Sequence, residues 1–467
     1  MTDPRKLSAA LDELRRAASH VVVDRDQLEA YGRDESDLGV YAPEVLVLAE
    51  SAHEVQRVFA VATRYRLPVI PVGARSGKSG GTLALAGGIA LSLERMNRIV
   101  EIRVEDLTAR VQPGVITSVF QAEVEKHGLF YPPDPNSADL CSLGGNVAEN
   151  AGGPRALKYG VTREYILGLE VVLPTGELIR TGRQTIKGVA GYDLTALLVG
   201  SEGTLGVVTE ITTKLLPRPR HVSTALVVFR TVDDAARAIS RVLASGVVPR
   251  CLELLDEAAL QACAKGAPFR FPADAGAAVL LETDGNDEEA VFGEIVRVAE
   301  LVQADAAGEV IVAQNEAQRR DIWESRKYVS VNLKKLHPLK LSEDIVVPRS
   351  RIPEMVRRAR EIGERHGFMV ATYGHAGDGN LHANILFDRE EDRPRVEEAV
   401  GELLRAAVDM GGSITGEHGV GLAKRDFLEY EQGKEMVALQ RRLKAVFDPL
   451  GILNPGKIFP ADPPSPL

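Results

Sequence analysis

Apolar residues recur along this chain with two periods, and the switches between them lay out its elements. Leu7, Leu11, Leu14 and Ala18 fall at helical spacing and predict an opening amphipathic helix. Val55, Val58, Phe59 and Ala62 repeat that spacing and lead into a short apolar strand from Leu67 to Val72. A long stretch rich in glycine and β-branched residues follows, with strands predicted over 88–93, 98–104, 107–112, 166–173 and 205–215. In the last of these, Leu205, Val207, Thr209, Ile211, Thr213 and Leu215 alternate with more polar neighbours, as in a half-buried strand. Pro174-Thr175-Gly176-Glu177 is a hairpin signal between two strands.

The texture changes at Pro217-Arg218-Pro219-Arg220, which reads as a domain boundary. Beyond it the pattern predicts strand 223–230, helix 232–245, strand 250–256, strand 277–284, helix 286–303 and strand 308–313. That β-α-β-β-α-β order is the ferredoxin-like plan, built on an antiparallel sheet. A helix at 353–366, strands at 368–375 and 381–387 and a helix at 395–410 come next, and the tail 435–459 reads as helical. The fold class is α+β.

Composition narrows the class. At ~100–200 residues per domain, 467 residues make two or three domains with sizeable cores. With 45% hydrophobic and 26% charged residues, the chain is neither disordered, fibrous nor a small disulfide scaffold. Lys+Arg 56 against Asp+Glu 66 leaves a formal charge of −10, which argues against broad nucleic-acid binding. Cys141, Cys251 and Cys263 form no C-x-x-C pair and suit a reducing compartment. The first twenty residues carry charges throughout, and no apolar run approaches the ~20 residues of a membrane span. A cytoplasmic protein with no transmembrane segment is expected, reaching a membrane only through a partner.

Three glycine-rich stretches carry the first chemistry. Pro71-Val72-Gly73-Ala74-Arg75-Ser76-Gly77-Lys78-Ser79-Gly80-Gly81-Thr82 follows a strand. A Walker loop needs four residues between its first glycine and Gly-Lys-Ser/Thr, whereas Gly73 to Gly77 leaves three, and Gly80-Gly81 argues against the helix that should follow. The segment is not G-x-G-x-x-G either. What it retains is a concave run of small residues whose backbone N–H groups suit a pyrophosphate. Gly144, Gly145, Asn146, Asn150, Gly152 and Gly153 make a second stretch, and Gly200-Ser201-Glu202-Gly203-Thr204-Leu205-Gly206 a third. Together they suggest a backbone surface that approaches a large flat ligand.

The second chemistry lies in the C-terminal half. His375-Ala376-Gly377-Asp378-Gly379-Asn380-Leu381-His382-Ala383-Asn384 joins two predicted strands through a glycine turn. Residues two apart on a strand share a face, so His382 and Asn384 point the same way. Gly416-Glu417-His418-Gly419 follows, and the two motifs hold three of the nine histidines. Two imidazoles and a carboxylate make a catalytic metal set suited to zinc, manganese or iron.

These stretches resemble the FAD-linked oxidases of the vanillyl-alcohol oxidase and p-cresol methylhydroxylase (PCMH) superfamily. The likeness is to the branch of glycolate oxidase flavin subunits, D-lactate dehydrogenases and D-2-hydroxyglutarate dehydrogenases, and it runs from about residue 40 to Lys457. It implies a two-part PCMH-type FAD-binding domain at 41–219, preceded by a helical segment at 1–40. It further implies a substrate or cap domain with a metal site at 220–420 and a helical segment at 421–467 returning to the FAD domain. The loop from Pro71 and Gly73 to Gly80 would wrap the FAD pyrophosphate. Pro133, Asp134, Gly144, Gly145, Asn146, Asn150 and Gly153 would line the flavin, with Gly203, Val207 and Asn454 close by. Many relatives attach flavin through a histidine in the first loop. This chain has none between His53 and His127, so non-covalent FAD is expected.

The resemblance implies metal ligands at His375, His382 and Glu417, with His418 as the base near the flavin. Arg326, in Trp323-Glu324-Ser325-Arg326-Lys327, aligns with the family's substrate arginine, with Lys340 assisting and Asn384 hydrogen-bonding the substrate. The implied reaction is oxidation of a D-2-hydroxy acid to the 2-oxo acid with hydride transfer to flavin N5. Implied partners are a second flavin subunit and an iron–sulfur subunit, with a homodimer left open. Two other readings compete: a metal-dependent hydrolase built on His375, His382 and Glu417, and a flavin-bearing subunit without catalysis.

Overall fold

The computed structural model describes residues 4–264, 271–307 and 310–460, so the first two residues of the strand expected at 308–313 lie outside it. The backbone divides into two compact units. One comprises the described residues up to Gly152, Val161–Arg218 and those from Glu417 on; the other comprises Gly153–Gly160 and Pro219–Gly416.

The first unit holds two main sheets. In one, β1 (Val21–Val22), β2 (Val45–Leu48), β4 (Ile89–Ser92) and β3 (Val69–Val72) lie in that order, with β4 parallel to both β2 and β3. The other is antiparallel, in the order β5 (Ile99–Arg103), β6 (Thr108–Val111), β10 (Val207–Lys214), β8 (Ile166–Val172) and β9 (Leu178–Gly182). β7 (Leu129–Phe130) pairs with β11 (Leu216–Pro217). The helix Ala52–Tyr65 forms where its pattern predicts, because Val55, Val58, Phe59 and Ala62 fall on one face and are buried with Val69, Ile89 and Leu91. Ser51 caps its start by accepting the Glu54 N–H, and Arg66 ends it in a left-handed conformation.

The tail departs from expectation. Its helix, Lys434–Phe447, stops well short of 459. Asp448 then accepts N–H bonds from Ile452 and Leu453, Pro449 has no N–H with which to continue the helix, and Gly451 is left-handed at φ 63°. The segment instead lies along β3, with Val69 N donating to Ile452 O and Asn454 N donating to Val69 O.

The second unit is a seven-stranded antiparallel sheet, in the order β15 (Ile311–Val312), β12 (His221–Phe229), β14 (Ala277–Gly285), β13 (Cys251–Asp256), β17 (Met369–His375), β18 (Asn380–Phe387) and β16 (Leu339–Val346). Its first four strands carry the 4-1-3-2 order of the ferredoxin-like plan, and three more extend the sheet past β13. The helices Glu257–Ala264, Glu316–Lys327 and Val329–Leu336 cover one face, packing Leu260, Ile322, Val329 and Leu333 against Leu226, Leu255 and Tyr373. Among the described residues, no helix is long and apolar enough to cross a membrane.

Candidate active site

In the second unit, strand register gathers the chemistry. Glu253 on β13 lies opposite His375 on β17, while His382 on β18 lies between Tyr373 on β17 and Asp344 on β16. Directly opposed residues share a face, as do residues two apart on one strand. Four adjacent strands therefore place two imidazoles, a tyrosine and two carboxylates on one side of the sheet. The His375 and His382 rings meet edge to face with centroids 5.3 Å apart, and each offers a ring nitrogen within 4.8 Å of the other's.

Each imidazole is backed by a carboxylate. His375 Nδ1 is hydrogen-bonded to Glu253 Oε1, and His382 Nδ1 lies 3.8 Å from Asp344 Oδ1. Asp344 is itself fixed, accepting from Asn380 Nδ2 at 2.6 Å, Thr415 Oγ1 at 3.0 Å and Gly416 N at 2.8 Å. The Glu253 hydrogen bond on His375 Nδ1 fixes the tautomer that presents Nε2, which is how metal-holding histidines are usually oriented, while Asp344 stands at ion-pair distance from His382 Nδ1. Burial alone would raise Glu253, but its contacts with the His375 ring and the Arg326 guanidinium outweigh it and hold the carboxyl at about 2.

Arg326 comes to this face from the last turn of the helix Glu316–Lys327. Its Nε and Nη2 donate to Glu253 Oε2 at 3.1 and 2.8 Å, and its guanidinium stacks 4.6 Å from the Tyr373 ring centre. Lys340, on β16, donates to Ser330 Oγ at 2.6 Å and Asn384 Oδ1 at 3.2 Å. Asn384 Nδ2 donates to the carbonyls of Ala371 and His382. The amide thus orients Lys340 within the sheet. Reading the sequence had missed Glu253, Asp344 and Tyr373. An acid inside Cys251-Leu252-Glu253-Leu254-Leu255 was the available signal, because a carboxylate in so apolar a strand must have partners.

The first unit holds the glycine-rich stretches. The loop after β3 is not helical, in keeping with the departure from a Walker pattern. Gly73 packs so closely on Ser142 that an added Cβ would sit 2.9 Å from its Oγ. Asn146 donates to Thr117 Oγ1 at 2.7 Å, and Asn150, left-handed at φ 53°, accepts from Arg163 N. Their side chains thus shape the second stretch. Gly144 is held by Pro113 O, Gln121 fixes Pro133 O, and the Val207 side chain lies in the core. Asn454 donates to Gly81 O and Glu202 O, and Lys457 donates to Gly80 O, so the tail returns to the first loop.

Loop 417–421, which carries Glu417 and His418, is stitched into this unit. Glu202 accepts the Val420 and Gly421 N–H groups at 2.8 and 2.6 Å, and Ser79 O accepts from Leu422 and Ala423. Gly419 has φ 82°, and a Cβ there would collide with Glu149 Oε2. Burial lifts the Glu202 carboxyl to about 6 despite those two donors, and burial followed by the Glu202 charge pushes Glu149 well above the ordinary carboxylate value.

A model of the FAD binding domain matches residues 43–182, and one for FAD linked oxidases, C-terminal domain, matches 218–458. The glycolate oxidase subunit GlcD of Bacillus subtilis (strain 168) is 43% identical over 422 residues, 90% of each chain. This chain belongs to the FAD-linked oxidases. The D-lactate dehydrogenase of Anaerostipes hadrus is 36% identical over 95% of each chain, so the branch suggested by the sequence is borne out. The solved structure of p-cresol methylhydroxylase with substrate bound aligns with a TM-score of 0.81 over 98% of this chain and 97% of that one. At 18% identity it establishes the fold.

An FAD-linked oxidase must hold its cofactor, and the first unit suits one. Ser79 Oγ, Thr82 Oγ1 and Asn454 Oδ1 are buried without a hydrogen-bond partner among the described residues. Buried polar atoms are normally satisfied, so a polar ligand laid along the first loop and the tail fits them. The donor set of the second unit likewise fits a divalent ion, with two carboxylate-backed imidazoles 5.3 Å apart.

Proposed function

We propose that this FAD-linked oxidase converts a D-2-hydroxy acid of the glycolate, D-lactate or D-2-hydroxyglutarate type to its 2-oxo acid. The observation that carries the reading is the face of β13, β17, β18 and β16, where two carboxylate-backed imidazoles lie beside a buried arginine. His375 and His382 would hold a divalent ion, zinc, manganese or iron, through Nε2. Glu417 is the third ligand in this reading, one peptide bond beyond Gly416, whose N–H is anchored on Asp344.

When bound, FAD supplies the acceptor for the Cα hydride and the ion supplies positive charge beside the substrate oxygens. Arg326 and Lys340 bind the carboxylate, Asn384 holds Lys340 in place, and His418 takes the hydroxyl proton. The relatives named as glycolate oxidase subunits support a further inference, that this chain hands electrons to partner subunits carrying flavin and iron–sulfur groups. A metal hydrolase would leave the FAD-binding match without a role.

The test is an acceptor-coupled assay with both enantiomers of a panel of 2-hydroxy acids, trapping the product. Formation of a 2-oxo acid from the D enantiomer, or from glycolate, is expected. Turnover confined to ester or amide hydrolysis would contradict the reading.

A further inference from the structure

Glu253 has no place in the reaction above, yet it is fully buried in a strand whose six residues are all buried. A carboxylate there is tolerated only with close partners. It has two, one on each oxygen: His375 Nδ1 on Oε1, and the Nε and Nη2 of Arg326 on Oε2. The pairing of β13 with β17 sets Glu253 opposite His375, so both contacts issue from one rigid point of the sheet. Asp344 offers a contrast: it backs His382 and binds Asn380, Thr415 and Gly416, with Arg326 held separately by Glu253.

We propose that Glu253 is a positioning residue that couples metal binding to substrate-carboxylate binding, fixing the ring of His375 and the fork of Arg326 through a single side chain. This rests on the reading that His375 and His382 hold a divalent ion and that Arg326 binds the acid. One oxygen sets which ring nitrogen faces the ion. The other occupies two of the five guanidinium donors and so determines which way the remaining ones point. Loss of this carboxylate disturbs both functions together, whereas loss of Asp344 disturbs the metal alone.

The experiment uses the full-length, FAD-loaded protein stripped with a chelator and titrated calorimetrically with Mn²⁺ or Zn²⁺ alone. Wild type, Glu253→Gln, Asp344→Asn and His382→Ala are compared, and far-UV dichroism and the FAD-to-protein ratio confirm folding. Glu253→Asp, which keeps the charge, serves in the same assays if the glutamine variant does not fold. Metal affinity is expected to fall ~10–100-fold in Glu253→Gln and in Asp344→Asn. At saturating metal, KM for the preferred acid is expected to stay raised about tenfold in Glu253→Gln, with a smaller change in kcat. In Asp344→Asn it is expected to return towards the wild-type value.

A change in only one of the two quantities in the Glu253 variant, or in neither, overturns the coupling while leaving the metal site standing. Wild type that binds no metal, or His382→Ala that binds it unchanged, overturns the metal reading and the proposal with it.

Discussion

His382 is gripped from both neighbouring strands, by Tyr373 at 5.8 Å between ring centres and by the Asp344 carboxylate. Replacing it with alanine should therefore remove bound metal while leaving the sheet paired, and elemental analysis of the purified variant checks this. Unchanged metal content would contradict its role as a ligand. His418 sits in a different setting, on a loop whose backbone is held by Glu202 and packed on Glu149. His418→Ala should cut turnover by ~10²–10⁴-fold, the usual worth of a general base, and leave a folded yellow protein. These histidines were legible because imidazoles beside glycine turns are sparse in the chain. Glu253 and Asp344 were not, because what singles them out is their place opposite His375 and His382, and cross-strand register is a long-range property.

At the level of elements, the ferredoxin-like half was readable almost strand for strand. Its helices carry regular apolar stripes and its inner strands are apolar runs. β16 went unread because Leu339-Lys340-Leu341-Ser342-Glu343-Asp344 lacks a sustained alternation, Lys340 and Asp344 among its polar residues being those that serve the site. The turn joining β17 to β18 depends on Gly379, whose φ is 93° and where a Cβ would collide with Val347 O. Gly379→Ala should destabilise the protein by about 1–3 kcal/mol and weaken metal binding, because His375 and His382 flank that turn. Denaturant titration with a parallel metal titration checks both. A variant of wild-type stability would contradict the claim that this turn is strained for any side chain.

For the whole molecule, the buried carboxyls of the first unit make stability depend on pH. A carboxyl held at about 6 when folded, against 4.5 ordinarily, keeps its proton longer in the native state. Its contribution is full below pH 4.5 and is lost as pH rises through 6, a change of about 2 kcal/mol for that displacement. The thermal midpoint of the FAD-loaded protein should fall between pH 5 and pH 7, and fall less in Glu202→Gln. Equal falls in the two proteins would contradict the assignment. The sequence also showed the boundary near Pro219 and the three glycine-rich stretches. It did not show that Gly153–Gly160 belongs with the second unit, where Lys158 and Tyr159 both bond Asp284, because such a crossing depends on contacts far apart in the chain.

The most direct measurement is anaerobic rapid mixing of the FAD-loaded, metal-replete protein with glycolate and the enantiomers of lactate and 2-hydroxyglutarate, following the visible flavin absorbance. Bleaching by at least one of these acids, slowed when its Cα hydrogen is deuterium and slowed ~10²–10⁴-fold in His418→Ala, is the expected result. A yellow protein with bound metal whose absorbance none of them bleaches would contradict the proposal that this chain oxidises a 2-hydroxy acid.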